Sequence, residues 1–397
     1  MPQYKYLIIG GGLAAATAIA GIREVDHTGT IGLIGAEPHP PYDRPPLSKG
    51  LWKDKALTSI WRPLKKNALT LHLGRTAQTL DAGQKNVVDD QGAVYTYDKL
   101  LLATGCTPRR LPFGDEHIIY FRTLDDYTTL RELALSGERF AVIGSGFIGS
   151  EIAAALAMNG KKVALIFPDK SLGSKIYPPE LVEFLDRLYR EKGIEMFAAS
   201  KAINCDMRNG KPVVKILYGP GAIEKEISVD GVVAGIGVEA NVGLAQMAGL
   251  KVDNGIRVDI SLRTSNPDIF AAGDVASFFN PALDKWLRVE HEDNASTMGG
   301  LAGAGMAGRT ITYTHQPFFY SDLFDVGYEA VGEVDSRLEI FADWKTPLQQ
   351  GVIYYLKSGR VRGVLLWNIF GQVDAARALI AGKGPFTASN LKGRITG

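Results

Sequence analysis

The stretch Tyr6-Leu7-Ile8-Ile9-Gly10-Gly11-Gly12-Leu13-Ala14-Ala15 decides how this chain is read. A short apolar run meets a glycine turn and passes into an alanine-rich segment of helical character. Gly10 permits the tight turn, Gly12 lets the backbone approach a pyrophosphate, and Ala15 is small enough for helix to pack on strand. Leu13 and Ala14 open the helix, whose N–H groups and positive dipole end suit a phosphate. A second strand over 30–35 leads to Glu37, 27 residues after Gly10. A carboxylate there can accept hydrogen bonds from a ribose diol.

The pattern returns at Phe140-Ala141-Val142-Ile143-Gly144-Ser145-Gly146-Phe147-Ile148-Gly149. Gly144, Gly146 and Gly149 repeat the three tasks, and Phe147 and Ile148 open the helix. A strand over 162–167 leads to Asp169, 25 residues after Gly144. Two such units imply two dinucleotides, and the usual pairing is FAD with NAD(P)H. Two further segments fit an FAD domain. Residues 97–105 read as a strand ending in the small turn Ala103-Thr104-Gly105. Residues 264–274 read as a strand ending in Gly273-Asp274, with Asp274 placed to accept from a ribityl hydroxyl. The expected class is α/β, with two Rossmann-like dinucleotide-binding domains.

Composition narrows the possibilities. At 397 residues the chain exceeds one ordinary domain of ~100–200 residues. Lys and Arg number 44 against 43 Asp and Glu, so the net charge is +1 and no broad nucleic-acid surface is expected. Cys106 and Cys205 lie 99 residues apart. That excludes a disulfide framework, a local zinc knuckle and a thioredoxin-type dithiol, and it suits a reducing, cytoplasmic setting. A strand pattern begins at Tyr4 with no signal peptide before it, and no apolar run reaches the ~18 residues of a membrane span. No metal site is expected. Glycine, at 45 residues, stands above its usual share of ~7%. The chain shows no low-complexity linker and no repeat beyond the two glycine units.

These segments, in this order, resemble the two-dinucleotide-binding flavoproteins. Pro41-Tyr42-Asp43-Arg44-Pro45-Pro46-Leu47-Ser48-Lys49 is similar to a signature of their ferredoxin-reductase-like branch, which includes oxygenase-coupled ferredoxin, rubredoxin and putidaredoxin reductases and apoptosis-inducing factor. Phe167-Pro168-Asp169-Lys170, Arg288-Val289-Glu290-His291, Ser321-Asp322-Leu323 and Val326-Gly327-Tyr328-Glu329-Ala330-Val331-Gly332 resemble the apoptosis-inducing-factor side. The resemblance implies an FAD domain over 1–112 and 244–316, an NAD(P)H domain over 113–243, and a small α+β C-terminal domain over 317–397. Local patterns agree for the last, with strands at 338–341, 351–356 and 361–367 and a helix at 373–381 before Gly382.

The resemblance also implies roles. Lys49 would stand at the reactive edge of the flavin, with Glu151 as its partner. Arg44, Arg122, His291, Glu292 and Tyr320 would join the glycine-turn residues, Glu37, Ala103, Thr104, Gly105 and Asp274 around FAD. Phe147 would cover the flavin until nicotinamide displaces it. Asp169, Lys175, Gly237 and Glu290 would contact NAD, and Asp169 would favour NADH over NADPH by repelling a 2′-phosphate. Two positions depart from the family: Glu292 stands where relatives have Trp or His, and Tyr320 where they have Trp. Glu292 would place negative charge near the flavin and lower its potential. Disulfide reductases and water-forming oxidases of the superfamily carry cysteine on the segment matching 38–60, and this chain has none there. The expected activity is hydride transfer from NADH to flavin N5, then electron delivery to an acidic ferredoxin or rubredoxin. Lys49, Lys53, Lys55, Arg62, Lys65 and Lys66, with Arg377, Lys383, Lys392 and Arg394, would supply the basic docking patches. The alternative is an NADH-redox sensor that forms a long-lived reduced flavin–NAD charge-transfer complex and changes oligomer or partner. Monomer and homodimer, including a redox-dependent one, both remain open.

Overall fold

A computed structural model describes residues 1–64, 67–219 and 221–396. The chain divides into two compact units. The first comprises Met1–Asp43, Thr58–Thr107 and Glu239–Phe318; the second comprises Arg44–Leu57, Pro108–Val238 and Phe319–Gly397.

In the first unit the apolar run becomes the strand Gln3–Ile9, which pairs in parallel with Ile31–Gly35 and with Val94–Leu102. Leu69–Leu73 and Ile269–Ala271 extend the parallel part, and Ala77–Asp81 and Asn86–Asp89 add an antiparallel edge. The central strands are apolar on both faces, as a sheet covered on both sides requires. Register sets Ile9 opposite Ile34 and Leu102, and Leu102 opposite Ala271. The carboxyl ends of four strands therefore lie together, the place where ligands bind in open α/β sheets.

The helix Leu13–Val25 follows the first turn and packs on a second helix, Glu292–Met306. Glycines allow this approach. A Cβ on Gly21 would come within 2.0 Å of Gly300 O, and one on Gly303 within 2.1 Å of Ala18 O. Much of the glycine excess thus serves helix contact as well as phosphate turns. The segment 264–274, read as one strand, is strand only over Ile269–Ala271. Thr264 Oγ1 accepts from Asn266 N at 3.1 Å, and this local turn displaces the strand that the apolar pattern suggested.

In the second unit Arg139–Ile143 and Lys162–Ile166 pair in parallel, flanked by Ile194–Phe197, Gly231–Ala234 and Ile118–Tyr120. The helix Phe147–Met158 follows the second turn. A separate antiparallel sheet runs in the order Phe318–Leu323, Val326–Gly332, Arg360–Trp367, Gln350–Lys357, Glu339–Thr346. The helix Val373–Ala381 packs on two of its strands and has the bounds expected from sequence, whereas the strand expected at 338–341 runs on to Thr346. Among the described residues no helix is long and apolar enough to cross a membrane.

Candidate active site

The first glycine turn is closed by backbone geometry. Gly10 has φ 115°, a conformation costly to other residues, and a Cβ there would come within 2.0 Å of Ala103 O. Gly10 N donates to Ile34 O at 2.8 Å, and Ala103 N donates to Ile9 O at 2.8 Å. This draws the Ala103-Thr104-Gly105 turn against the glycines. Asn241 then clamps that turn: its Nδ2 donates to Thr104 O, and Thr104 Oγ1 donates to Asn241 O, both at 2.8 Å. Gly273 lies against Ala14, since a Cβ on it would meet Ala14 Cβ at 3.1 Å, so Asp274 follows directly beside the start of the first helix. Glu37 accepts a hydrogen bond from Tyr42.

The second turn repeats the construction. Gly144 has φ 102°, and a Cβ on it would come within 2.4 Å of Gly235 O. A Cβ on Gly149 would come within 2.0 Å of Gly144 O, which is why this third position admits no side chain. Asp169, beyond the second strand, pairs with Lys175 Nζ at 2.8 Å. Gly237 has φ 96°, and its carbonyl accepts from Arg109 N at 3.0 Å.

These turns fit the dinucleotides. A Cβ on Gly12 would meet no atom within 4 Å, and one on Gly146 only Gly235 O at 3.9 Å, so both second glycines border open space. Neither helix that follows has a side-chain cap or an acid in its first turn. Their leading N–H groups and dipole ends are left for an anion. In the first unit Asn294 is fully buried, and its Nδ2 has no hydrogen-bond partner among the described residues.

The second unit also holds the charged centre. Lys49 Nζ meets Glu151 Oε2 at 2.7 Å, with side-chain exposures of 13% and 2%. The Tyr320 ring centroid lies 5.2 Å from the same ammonium. Ser48 Oγ donates to Glu151 Oε2 at 2.6 Å, and Ser321 Oγ donates to Oε1 at 2.7 Å. Burial holds the nearby Tyr177, Tyr189 and Tyr328 hydroxyls above their ordinary range, so Glu151 faces neutral phenols and one cation. Arg44 Nη1 donates to Arg122 O at 2.8 Å, which brings those two residues together. Phe147 is 45% exposed at the head of its helix, edge-on to Phe319 at 5.3 Å.

Of the residues expected at FAD, Arg44, Lys49, Arg122 and Tyr320 fall in the second unit and the others in the first. Glu290, Glu292 and the patch cations Arg62 and Arg377 have partners that sequence reading missed. Arg288 Nη1 pairs with Glu290 at 2.6 Å and also donates to Asp274 O at 3.1 Å. Arg62 pairs with Asp43, and its Nη2 reaches Glu292 Oε1 at 3.3 Å. Glu292 is therefore not an isolated negative charge. Arg62 and Lys49 are committed to acids and do not serve as open docking cations. Lys53 and Lys55 are exposed, as are Lys383, Lys392 and Arg394. Arg377 pairs with Asp374 at 3.0 Å, and Lys65 and Lys66 lie outside the described residues. Burial pushes the His291 imidazole down to about 4, with Asp274 and Asp293 opposing. Ser48 and Ser321 stood inside quoted motifs, whereas Asn241 carried no signal.

Known proteins agree with this geometry. The family described as pyridine nucleotide-disulphide oxidoreductase matches residues 4–299, and the C-terminal domain of mitochondrion-associated apoptosis-inducing factor matches 302–349 and 343–382. Apoptosis-inducing factor 1, mitochondrial, of Dictyostelium discoideum is 35% identical over 95% of this chain and 78% of that protein. The ferredoxin–NAD(+) reductase component of the anthranilate 1,2-dioxygenase system of Burkholderia cepacia is 34% identical over 96% of this chain and 95% of its own. A chain in the crystal structure of the covalent putidaredoxin reductase–putidaredoxin complex superimposes with a TM-score of 0.87 at 28% identity, covering 96% of this chain and 94% of that one. The chain belongs to the pyridine nucleotide-disulphide oxidoreductase family, as an oxidoreductase of flavin and pyridine nucleotide on its ferredoxin-reductase and apoptosis-inducing-factor side.

Proposed function

We propose that this chain oxidises NADH through FAD and delivers electrons to a small acidic iron–sulfur protein of the ferredoxin type. The observation that carries the reading is the enclosed Lys49–Glu151 pair at the head of the second glycine-turn helix. When bound, FAD supplies hydride acceptance and stepwise electron release. The chain's residues supply binding, orientation and charge. Gly10, Gly12, Leu13, Ala14 and Ala15 hold the FAD diphosphate, Glu37 its ribose, and Asp274 its ribityl chain. Ala103, Thr104, Gly105, Arg44, Arg122, His291, Glu292 and Tyr320 complete the FAD contacts. Gly144, Gly146, Ile148 and Gly149 hold the NADH diphosphate; Asp169, Lys175, Gly237 and Glu290 hold the remainder. Lys49 supplies a fixed cation where negative charge develops, and Glu151 holds it in place. Phe147 yields its place to the nicotinamide. The domains are 1–112 with 244–316 for FAD, 113–243 for NADH, and 317–397 as the C-terminal domain.

Asp169 favours NADH, although its pairing with Lys175 tempers the repulsion of a 2′-phosphate. Comparing kcat/KM for NADH and NADPH tests that preference. The whole reading is tested by stopped-flow mixing of the FAD-loaded protein with NADH, then with an acidic ferredoxin. Fast flavin reduction followed by rapid ferredoxin reduction supports it; reduced flavin that ferredoxin leaves unoxidised sinks it. The match of the C-terminal segment to apoptosis-inducing factor favours a second reading, an NADH-redox sensor. That reading expects slow reduction, a persistent long-wavelength charge-transfer band and a change of size on gel filtration.

A further inference from the structure

Glu151 has two hydroxyl donors that hydride transfer does not itself require. Ser48 Oγ donates to Oε2, the oxygen already engaged by Lys49, and Ser321 Oγ donates to Oε1. The three side chains are almost fully enclosed: Glu151 is 2% exposed, Ser48 4% and Ser321 1%. The donors come from separate stretches of chain. Ser48 ends the short turn Pro45–Ser48, and Ser321 lies in the strand Phe318–Leu323. A single ion pair fixes a distance, but it leaves a long carboxylate side chain free to rotate. Hydroxyls on both oxygens select one orientation of the carboxylate plane. The other titratable groups facing Glu151 are Tyr177, Tyr189 and Tyr328, which burial keeps neutral, so they do not compete for Lys49's charge. Tyr320, next to Ser321 in the strand, lays its ring 5.2 Å from the Lys49 ammonium. Consecutive residues of one strand thus address both members of the pair.

We propose that Ser48 and Ser321 are positioning residues that lock the Glu151 carboxylate and so hold the Lys49 ammonium in one place. Through Ser321 the first strand of the C-terminal sheet takes part in aiming the charge that serves the flavin. The inference rests on the assignment of Lys49 to the flavin.

The test uses the FAD-loaded protein and two readouts. Acetic anhydride labelling of Lys49 is quantified by peptide mass spectrometry against exposed Lys53, and flavin reduction by NADH is followed by stopped flow. Ser321→Ala, and the double variant with Ser48→Ala, should raise the Lys49-to-Lys53 labelling ratio about threefold or more by loosening the pair. The same variants should slow the limiting reduction rate roughly tenfold with the NADH dissociation constant unchanged. Ser321→Thr, which keeps the hydroxyl, should restore both. If a variant that binds FAD stoichiometrically keeps the wild-type value of either readout, the positioning role is overturned. Ser321→Ala alone decides if the double variant does not fold. A wild-type protein that NADH fails to reduce would overturn the hydride-transfer reading instead, and the labelling ratio would still decide the clamp.

Discussion

Glu151 shows how much a single residue carries. Glu151→Gln keeps a side chain that can still meet Ser48 and Ser321 but removes the charge facing Lys49. It should slow flavin reduction by roughly 10²-fold, read by stopped flow, the scale of losing one preorganised electrostatic contact. Glu292 asks for a different experiment. Its charge is shared with Arg62, which also holds Asp43. Glu292→Gln should raise the flavin midpoint potential, because removing the acid leaves Arg62's positive charge less compensated; an unchanged potential in a spectroelectrochemical titration would refute this. His291 adds a pH dependence. Its folded pKa of about 4 lies below the ordinary imidazole value of 6.5, so between those values the unfolded chain binds more protons. Stability is present above pH ~6.5 and is lost as pH falls towards ~4, by up to about 3 kcal/mol. Thermal denaturation should show a smaller loss of Tm from pH 7 to pH 5 in His291→Gln than in the wild type.

Among the elements, the two glycine turns were legible because each position answers a local steric demand. The turns also separate two kinds of glycine. Gly12 sits at φ −92° with nothing within 4 Å of a Cβ, so Gly12→Ala should change stability by no more than ~0.5 kcal/mol while weakening FAD retention. Gly149→Ala would drive a Cβ to 2.0 Å from Gly144 O and should lower Tm by several degrees, roughly the effect of 1–3 kcal/mol of overpacking. Denaturation of the apo-proteins, with FAD content measured on purification, checks both. The helix Glu292–Met306 was the least legible element. It contains Gly299, Gly300, Gly303 and Gly305, and each glycine costs a helix interior about 1 kcal/mol against alanine. Its stability comes from close contact with Leu13–Val25, and propensity says nothing of that. The strand read over 264–274 failed for the opposite reason, since a side-chain turn at Thr264 and Asn266 took hydrogen bonds that a strand would have used.

For the whole molecule, charge counting overstated the docking patch. Lys49 and Arg62 are held by acids, and among the described residues the exposed patch cations are Lys53, Lys55, Lys383, Lys392 and Arg394. Reduction of an acidic ferredoxin should therefore slow with rising salt. Lys53→Ala with Lys55→Ala should weaken that dependence while leaving flavin reduction by NADH unchanged; salt-independent turnover would remove docking through these residues. By itself the sequence determined the α/β class, the two dinucleotide turns and the absence of cysteine from residues 38–60, because backbone sterics and composition are written in short segments. Tertiary structure alone decided which charges are committed. Glu151's partners come from residues 48, 49 and 321, and Arg62 meets an acid 230 positions away. Such pairings depend on how the chain folds back on itself, and short-range spacing does not encode them.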